Sequence, residues 1–179
     1  QAKGEDKPVT AYTYTRHTDV TTGYLFCFAT GETPVTQFSV RPSDLGMKGE
    51  VVIYSPETRL VKDIKASDTF SDDLGTARYN YYLIAPITAT GIAFLGDEGK
   101  IAATGKKRVE DIRLLGDKMS VTVLFAAGET SVTLQGYAAR AVSSDRGTVS
   151  QDPATHLFTV SVPAPGQGDK LTVTLTASR

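Results

Sequence analysis

The sequence contains 20 acidic side chains, and nearly all of them fall in predicted turns. Hydrolysis of a glycosidic bond needs two carboxylates roughly 5–10 Å apart, one of them with a raised pKa. Acids in turns, such as Asp72, Asp73, Asp97 and Glu98, are usually hydrated hydrogen-bond acceptors. The sequence therefore predicts no catalytic residues and no enzymatic activity for this chain by itself.

Neither the histidines nor the cysteine are placed for metal binding or nucleophilic catalysis. His17 and His156 are far apart in sequence, and neither has a Cys or an acid at the spacing of a zinc ligand set, so both are expected at the surface. Cys27 lies in the apolar run 24–29, where burial would raise the pKa of the thiol and suppress the thiolate. Calcium-loop, phosphate-loop and nucleophile-elbow motifs are absent from the sequence. We expect no metal, no cofactor and a structural role for Cys27.

The tyrosines are the best candidates for contact with a sugar, because an aromatic ring offers a flat apolar face to sugar C–H groups. Tyr12 and Tyr14 are two residues apart and share one face of a strand, and so do Tyr79 and Tyr81. Asp97, in a glycine-rich turn, is a further candidate for carbohydrate contact. The alternative for all five residues is structural, since strand tyrosines usually pack half-buried and the sequence contains no Trp.

The charge balance and hydropathy exclude two classes of partner. With 19 Lys and Arg against 20 Asp and Glu, the chain lacks the basic face that a nucleic acid requires, and the run 106–108 is interpreted as a solvated strand end. No apolar run reaches the ~18 residues that span a bilayer. The polar start without Met indicates a processed N-terminus or the cut end of a longer polypeptide, and the expected location is secreted, periplasmic or cell-surface.

Hydrophobic alternation with a period of two predicts an all-β protein with almost no helix. Short strands with one apolar face follow one another from residue 119 to residue 175, separated by Gly, Pro and Asp turns, which is typical of an antiparallel β-sandwich. The most apolar stretch, 78–100, predicts two adjacent strands, 79–87 and 91–95, near the centre of a sheet. Residues 65–77 are predicted to form a loop, and residues 41–46 have room for one helical turn.

The strand pattern changes near residues 100–107, from strands that are apolar on both faces to clean one-sided alternation. This change predicts a loose leader, 1–8, followed by two stacked sandwich subdomains, 9–104 and 105–179. The alternative is one large sandwich over 9–179.

Four segments resemble a known family. They are FSVRPSDLG at 38–46, VVIY at 51–54, YYLIAPI at 81–87 and GIAFLGD at 91–97, with Lys100 and the pair Lys107-Arg108 beyond. Together they resemble the C-terminal all-β region that follows the catalytic (β/α)8 barrel in multidomain glycoside hydrolases of the α-galactosidase-like type. The resemblance covers about residues 9–110, and 136–138 and 152–155 are similar to the tail of the same regions.

The resemblance implies a non-catalytic β-sandwich accessory domain that packs against and stabilises a catalytic domain absent from this chain. The family's catalytic Asp residues belong to the barrel, and this chain shows no βα alternation. The implied partner is the (β/α)8 domain of the same polypeptide, and an apolar sheet face in the N-terminal half is expected where the two would meet. The alternative hypothesis is an independent carbohydrate-binding or adhesin-like module that uses tyrosines to contact an oligosaccharide or polysaccharide.

Overall fold

The computed structural model describes residues 7–179, so most of the predicted leader, residues 1–6, lies outside the described part. The described chain is all-β with antiparallel sheets, as predicted. It divides into two compact units, one of residues 7–14 and 23–84 and the other of residues 15–22 and 85–179. The subdomains 9–104 and 105–179 remain a prediction about separately folding domains.

The first unit is built on a five-stranded sheet with a two-stranded sheet beside it. The five strands lie in the order β1, β2, β7, β4, β5, and β3 pairs with β6. Their bounds are β1 Val9–Arg16, β2 Thr21–Phe28, β3 Gln37–Val40, β4 Glu50–Tyr54, β5 Val61–Lys65, β6 Phe70–Asp73 and β7 Tyr79–Pro86.

Helical structure in residues 7–179 consists of two short 3-10 turns, Pro42–Leu45 and Gly75–Ala77. The first is the single turn predicted at 41–46, and it ends at Gly46, whose φ of 85° lies in the left-handed region that favours glycine. Neither turn is long and apolar enough to cross a membrane.

The core of the first unit lies between one face of the five-stranded sheet and the two-stranded sheet. Alternate residues of β2 and β7, among them Leu25 and Tyr82, point into it together with Phe38 and Phe70. The Tyr82 ring lies 5.7 Å from that of Phe38 and 5.3 Å from that of Phe70, the spacing at which aromatic rings attract each other.

The second unit is a β-sandwich of two four-stranded sheets. One sheet has the order β12, β15, β10, β9 and the other β13, β14, β11, β8. The bounds are β8 Ile92–Asp97, β9 Val109–Leu115, β10 Lys118–Leu124, β11 Ser131–Ala138, β12 Val142–Ser144, β13 Thr148–Gln151, β14 Leu157–Pro163 and β15 Lys170–Ala177. The predicted inward residues of β10, β11 and β14 are buried in one cluster, which confirms the alternation in this half.

Two predictions about the middle of the chain are wrong. The runs 79–87 and 91–95 are strands, but β7 and β8 belong to different sheets: β7 is central in the five-stranded sheet and β8 is an edge strand paired with β11. An apolar run indicates that a strand is buried, but it does not indicate which strand pairs with it. The predicted loop 65–77 contains β6, whose Phe70 fills the core while its polar residues face outward.

Gly96 is required by the close approach of two backbone segments. Its φ is 88°, and a Cβ at this position would collide with the backbone carbonyl of Ala103. The amide of the next residue, Asp97, donates to the same carbonyl at 2.8 Å, so the segment cannot move away without losing that bond.

We predict that Gly96→Ala destabilises the protein by about 3 kcal/mol or more, because backbone strain and a collision with a carbonyl add together. Gly116→Ala is the matched control: its φ is 64°, but nothing lies within 4 Å of the added Cβ, so only strain of about 1 kcal/mol is expected. Chemical unfolding of both variants measures the difference, and equal losses would contradict a role for the close approach.

Candidate functional site

Three large apolar side chains are exposed together on one face of the five-stranded sheet. Val9, Phe28 and Tyr79 are 53%, 43% and 51% exposed, on β1, β2 and β7, which are neighbours in the sheet. Phe28 and Tyr79 lie directly opposite each other in the register of β2 and β7. We call Val9, Phe28 and Tyr79, with the half-buried Phe26, the apolar patch.

The alternation of the strands places the patch on the face opposite the core. Leu25 and Cys27 of β2 point into the core, so Phe26 and Phe28 point the other way. Val9 is on the patch face because Tyr12, three residues later, packs over Gly23 on the core face. The same residues that close the core therefore set the direction of the patch.

The four predicted tyrosines do not form the two platforms that their spacing suggested. Tyr12 is half-buried against the core, while Tyr14 is 53% exposed, and their rings are 6.5 Å apart and tilted by 36°. Tyr81 is buried, with its ring stacked on Phe26 at 5.2 Å, and burial raises the pKa of its hydroxyl. Tyr79 is exposed, but its neighbour across the strands is Phe28, which the sequence analysis did not single out.

Asp97 is buried, and both of its carboxylate oxygens are engaged within the second unit. One oxygen accepts a hydrogen bond from the Gly99 amide at 2.8 Å, and the other accepts from the Arg108 Nε at 2.7 Å. Asp97 thus closes the turn after β8 and neutralises a buried guanidinium, which is the structural alternative proposed for this residue.

Arg108 is the buried centre of an ionic network. Besides its bond to Asp97, the guanidinium donates from Nη1 and Nη2 to the two carboxylate oxygens of Glu129, at 2.8 Å and 2.5 Å. Its Nη1 also donates to the Leu124 carbonyl. The prediction that the run 106–108 is solvated is correct for Lys106 and Lys107 and wrong for Arg108, which is only 7% exposed. A planar guanidinium satisfies two carboxylates at once, and Lys cannot replace it there.

The surface position predicted for His17 is also wrong. The ring is buried, and its Nε2 donates to the Thr104 carbonyl at 2.7 Å, because a carbonyl oxygen only accepts. Cys27 is fully buried as predicted, and burial raises the pKa of its thiol to about 12. At neutral pH the thiol is protonated and is not a nucleophile.

Several other acids of the second unit are held in structural hydrogen bonds. Asp111 accepts from the Thr18 amide and hydroxyl at 2.8 and 2.7 Å, and Asp19 accepts from the Leu114 amide at 2.8 Å. Within residues 7–179, no three His, Cys, Asp or Glu side chains are grouped closely enough to hold a metal ion.

The sequence matches no protein-family model, and it matches no curated protein.

We predict that Arg108→Ala destabilises the protein by about 3 kcal/mol, because it leaves the buried Asp97 carboxylate without a counter-charge. Arg113→Ala is the matched control, since Arg113 pairs with Asp111 at an exposed position and should cost less than about 1 kcal/mol. Urea unfolding at neutral pH compares the two variants, and a loss for Arg108→Ala as small as that for Arg113→Ala would contradict a structural role of the network.

The network also predicts an acid-dependent loss of stability. Hydrogen bonds from Arg108 and from the Ala126 amide lower the pKa of Glu129 from 4.5 to about 2. A carboxyl with a depressed pKa in the folded state contributes stability above its unfolded pKa, and this contribution disappears as the pH falls towards the folded value. Between about pH 4.5 and pH 2, the free energy of unfolding should fall less steeply in Glu129→Gln than in the wild type. In the Arg108→Ala background, Glu129→Gln should change the slope less, because only the Ala126 amide still lowers the pKa of Glu129, and an unchanged effect there would contradict this coupling.

Proposed function

We propose that this chain is a non-catalytic β-sandwich accessory module of a glycoside hydrolase, which docks on and stabilises a catalytic domain outside the chain. The apolar patch carries the proposal. The resemblance of residues 9–110 to α-galactosidase-like C-terminal regions supports a (β/α)8 barrel as the docking partner.

The chemistry of the patch favours a protein surface as its partner. Val9, Phe26 and Phe28 have no side-chain hydrogen-bonding group, so they gain most from burial against other apolar atoms. Aromatic residues are enriched in the buried centres of protein interfaces. A sugar needs directed hydrogen bonds to its hydroxyls, and these three side chains supply none.

The bonding of the acids supports a non-catalytic role. Asp97 and Glu129 form ion pairs with Arg108, and Asp111 fixes the turn at Thr18. The pKa of Glu129 is lowered, whereas a general acid of a glycosidase needs a raised pKa. These carboxylates stabilise the second unit and are unsuited to proton transfer at neutral pH.

The second candidate function is an independent carbohydrate-binding or adhesin-like module, and the exposure of Tyr79 favours it. Its ring and that of Phe28 are exposed neighbours in the sheet, and a sugar ring can stack on an exposed aromatic face. Under this hypothesis Tyr79→Ser abolishes retention of the protein on immobilised polysaccharide, while Tyr14→Ser does not.

We predict that Phe28→Ser combined with Tyr79→Ser lowers the thermal midpoint of glycosidase inactivation in the natural gene product by several degrees. Each buried aromatic side chain contributes about 1.5–3 kcal/mol at an interface of this kind. The same double substitution should leave the melting temperature of the 179-residue chain unchanged or higher, because both side chains are exposed in it.

Tyr14→Ser is the control for this experiment, since Tyr14 is equally exposed but lies on the other face of the edge strand. An unchanged inactivation midpoint in the double variant would contradict docking through the patch. A gene that encodes no βα-repeat domain in the same polypeptide would contradict the accessory role itself.

A further inference from the structure

A groove lies over the two-stranded sheet of the first unit, on the side of the five-stranded sheet opposite the apolar patch. Its volume is about 770 Å³, within the range of ~300–1,000 Å³ that is usual for small-molecule sites. Most of the residues that line it belong to strands β3 and β6: Gln37, Phe38, Ser39, Ser71, Asp72 and Asp73. We call it the β3/β6 groove.

Two serine hydroxyls face each other across the strands in this groove. Ser39 Oγ and Ser71 Oγ are 2.7 Å apart, so one donates its proton to the other. Each hydroxyl has one proton and two acceptor sites. The pair therefore still has one proton with which to donate a hydrogen bond and lone pairs with which to accept one. A hydroxyl group of a ligand, which also donates and accepts, matches this pair.

The two carboxylates of the groove are fixed by the protein. Asp72 accepts from the Tyr82 hydroxyl at 2.5 Å and from the Asp73 amide at 2.8 Å. Burial and the nearby Asp72 raise the pKa of Tyr82, so this hydroxyl stays protonated as a donor. Asp73 accepts from the Gly75 amide at 2.8 Å, and hydrogen bonds from Thr36 and Gly75 lower the pKa of its carboxyl. Each oxygen of Asp72 accepts one of these bonds and has a second lone pair for a ligand.

The charges of the lining select against two classes of ligand. Among the lining residues that the structure describes, Asp72 and Asp73 are opposed by one cation, Lys7, so these side chains together carry a net negative charge and disfavour anions. A wholly apolar ligand would remove water from the carboxylates, the serines and Gln37 without replacing their hydrogen bonds. An uncharged ligand rich in hydroxyl groups replaces those bonds.

We propose that the β3/β6 groove binds a neutral oligosaccharide. This inference deepens the proposed function, because it gives the accessory module a site for the class of compound that a glycoside hydrolase acts on. It does not depend on the apolar patch, which lies on the other face of the five-stranded sheet.

The test is a ¹⁵N NMR titration of the full chain with raffinose, lactose and cellotriose, one at a time, and with galacturonic acid as the anionic comparison. We expect at least one neutral sugar to bind with a dissociation constant in the millimolar range or tighter, with shifts concentrated at residues 37–39 and 71–73. Ser39→Tyr should weaken this binding about tenfold or more by filling the groove. Ser71→Tyr, on the opposite strand, serves the same purpose if Ser39→Tyr does not fold. Tyr79→Ser should leave the binding of the neutral sugar unchanged.

Absence of shifts with all three neutral sugars would overturn the proposal. Shifts centred on Phe28 and Tyr79 would overturn it in favour of the patch as the sugar site, and an equal response to galacturonic acid would overturn the assignment to neutral ligands. A negative titration combined with the predicted effect of the patch variants on glycosidase inactivation would refute the groove and leave the accessory function in place.

Discussion

The register between β2 and β7 is the constraint on which the first unit depends. Leu25 lies opposite Tyr82, and Phe28 lies opposite Tyr79. Because side chains alternate along a strand, a slip of one residue would move Tyr82 out of the core and bring the patch rings into it. The contacts of Tyr82 with Phe38 and Phe70 prevent this slip. One register therefore determines both the closed core and the apolar outer face.

The second unit is stabilised in a different way. Alternating apolar side chains close its sandwich core, and ion pairs join its loops. Arg108 joins the turn after β8 to the segment around Glu129 through Asp97 and Leu124. Such a network is costly to desolvate and is tolerated only when every group is paired. Asp97 and Glu129 thus neutralise a structural cation.

The alternation of apolar residues was sufficient to predict the fold class, the inward residues of β10, β11 and β14, and the buried Cys27. Strand pairing was harder to predict, because β7 pairs with β2 and β4, which are distant in sequence, and not with β8, which follows it. The exposure of Phe28 depends on that pairing, and the residues around Phe28 in the sequence did not indicate it. His17 and Arg108 look solvent-exposed by residue type, and only their long-range partners, Thr104 and the two carboxylates, bury them. The family resemblance and the functions proposed from it stay predictions.

Hydroxyl-radical footprinting of Phe28, Tyr79 and Tyr14 in the natural gene product and in the 179-residue chain tests the proposed docking face most directly. Our account predicts that Phe28 and Tyr79 are oxidised several-fold more slowly in the natural gene product, whereas Tyr14 reacts at the same rate in both. Equal oxidation of Phe28 and Tyr79 in the two proteins would show that nothing covers the apolar patch and would contradict the account.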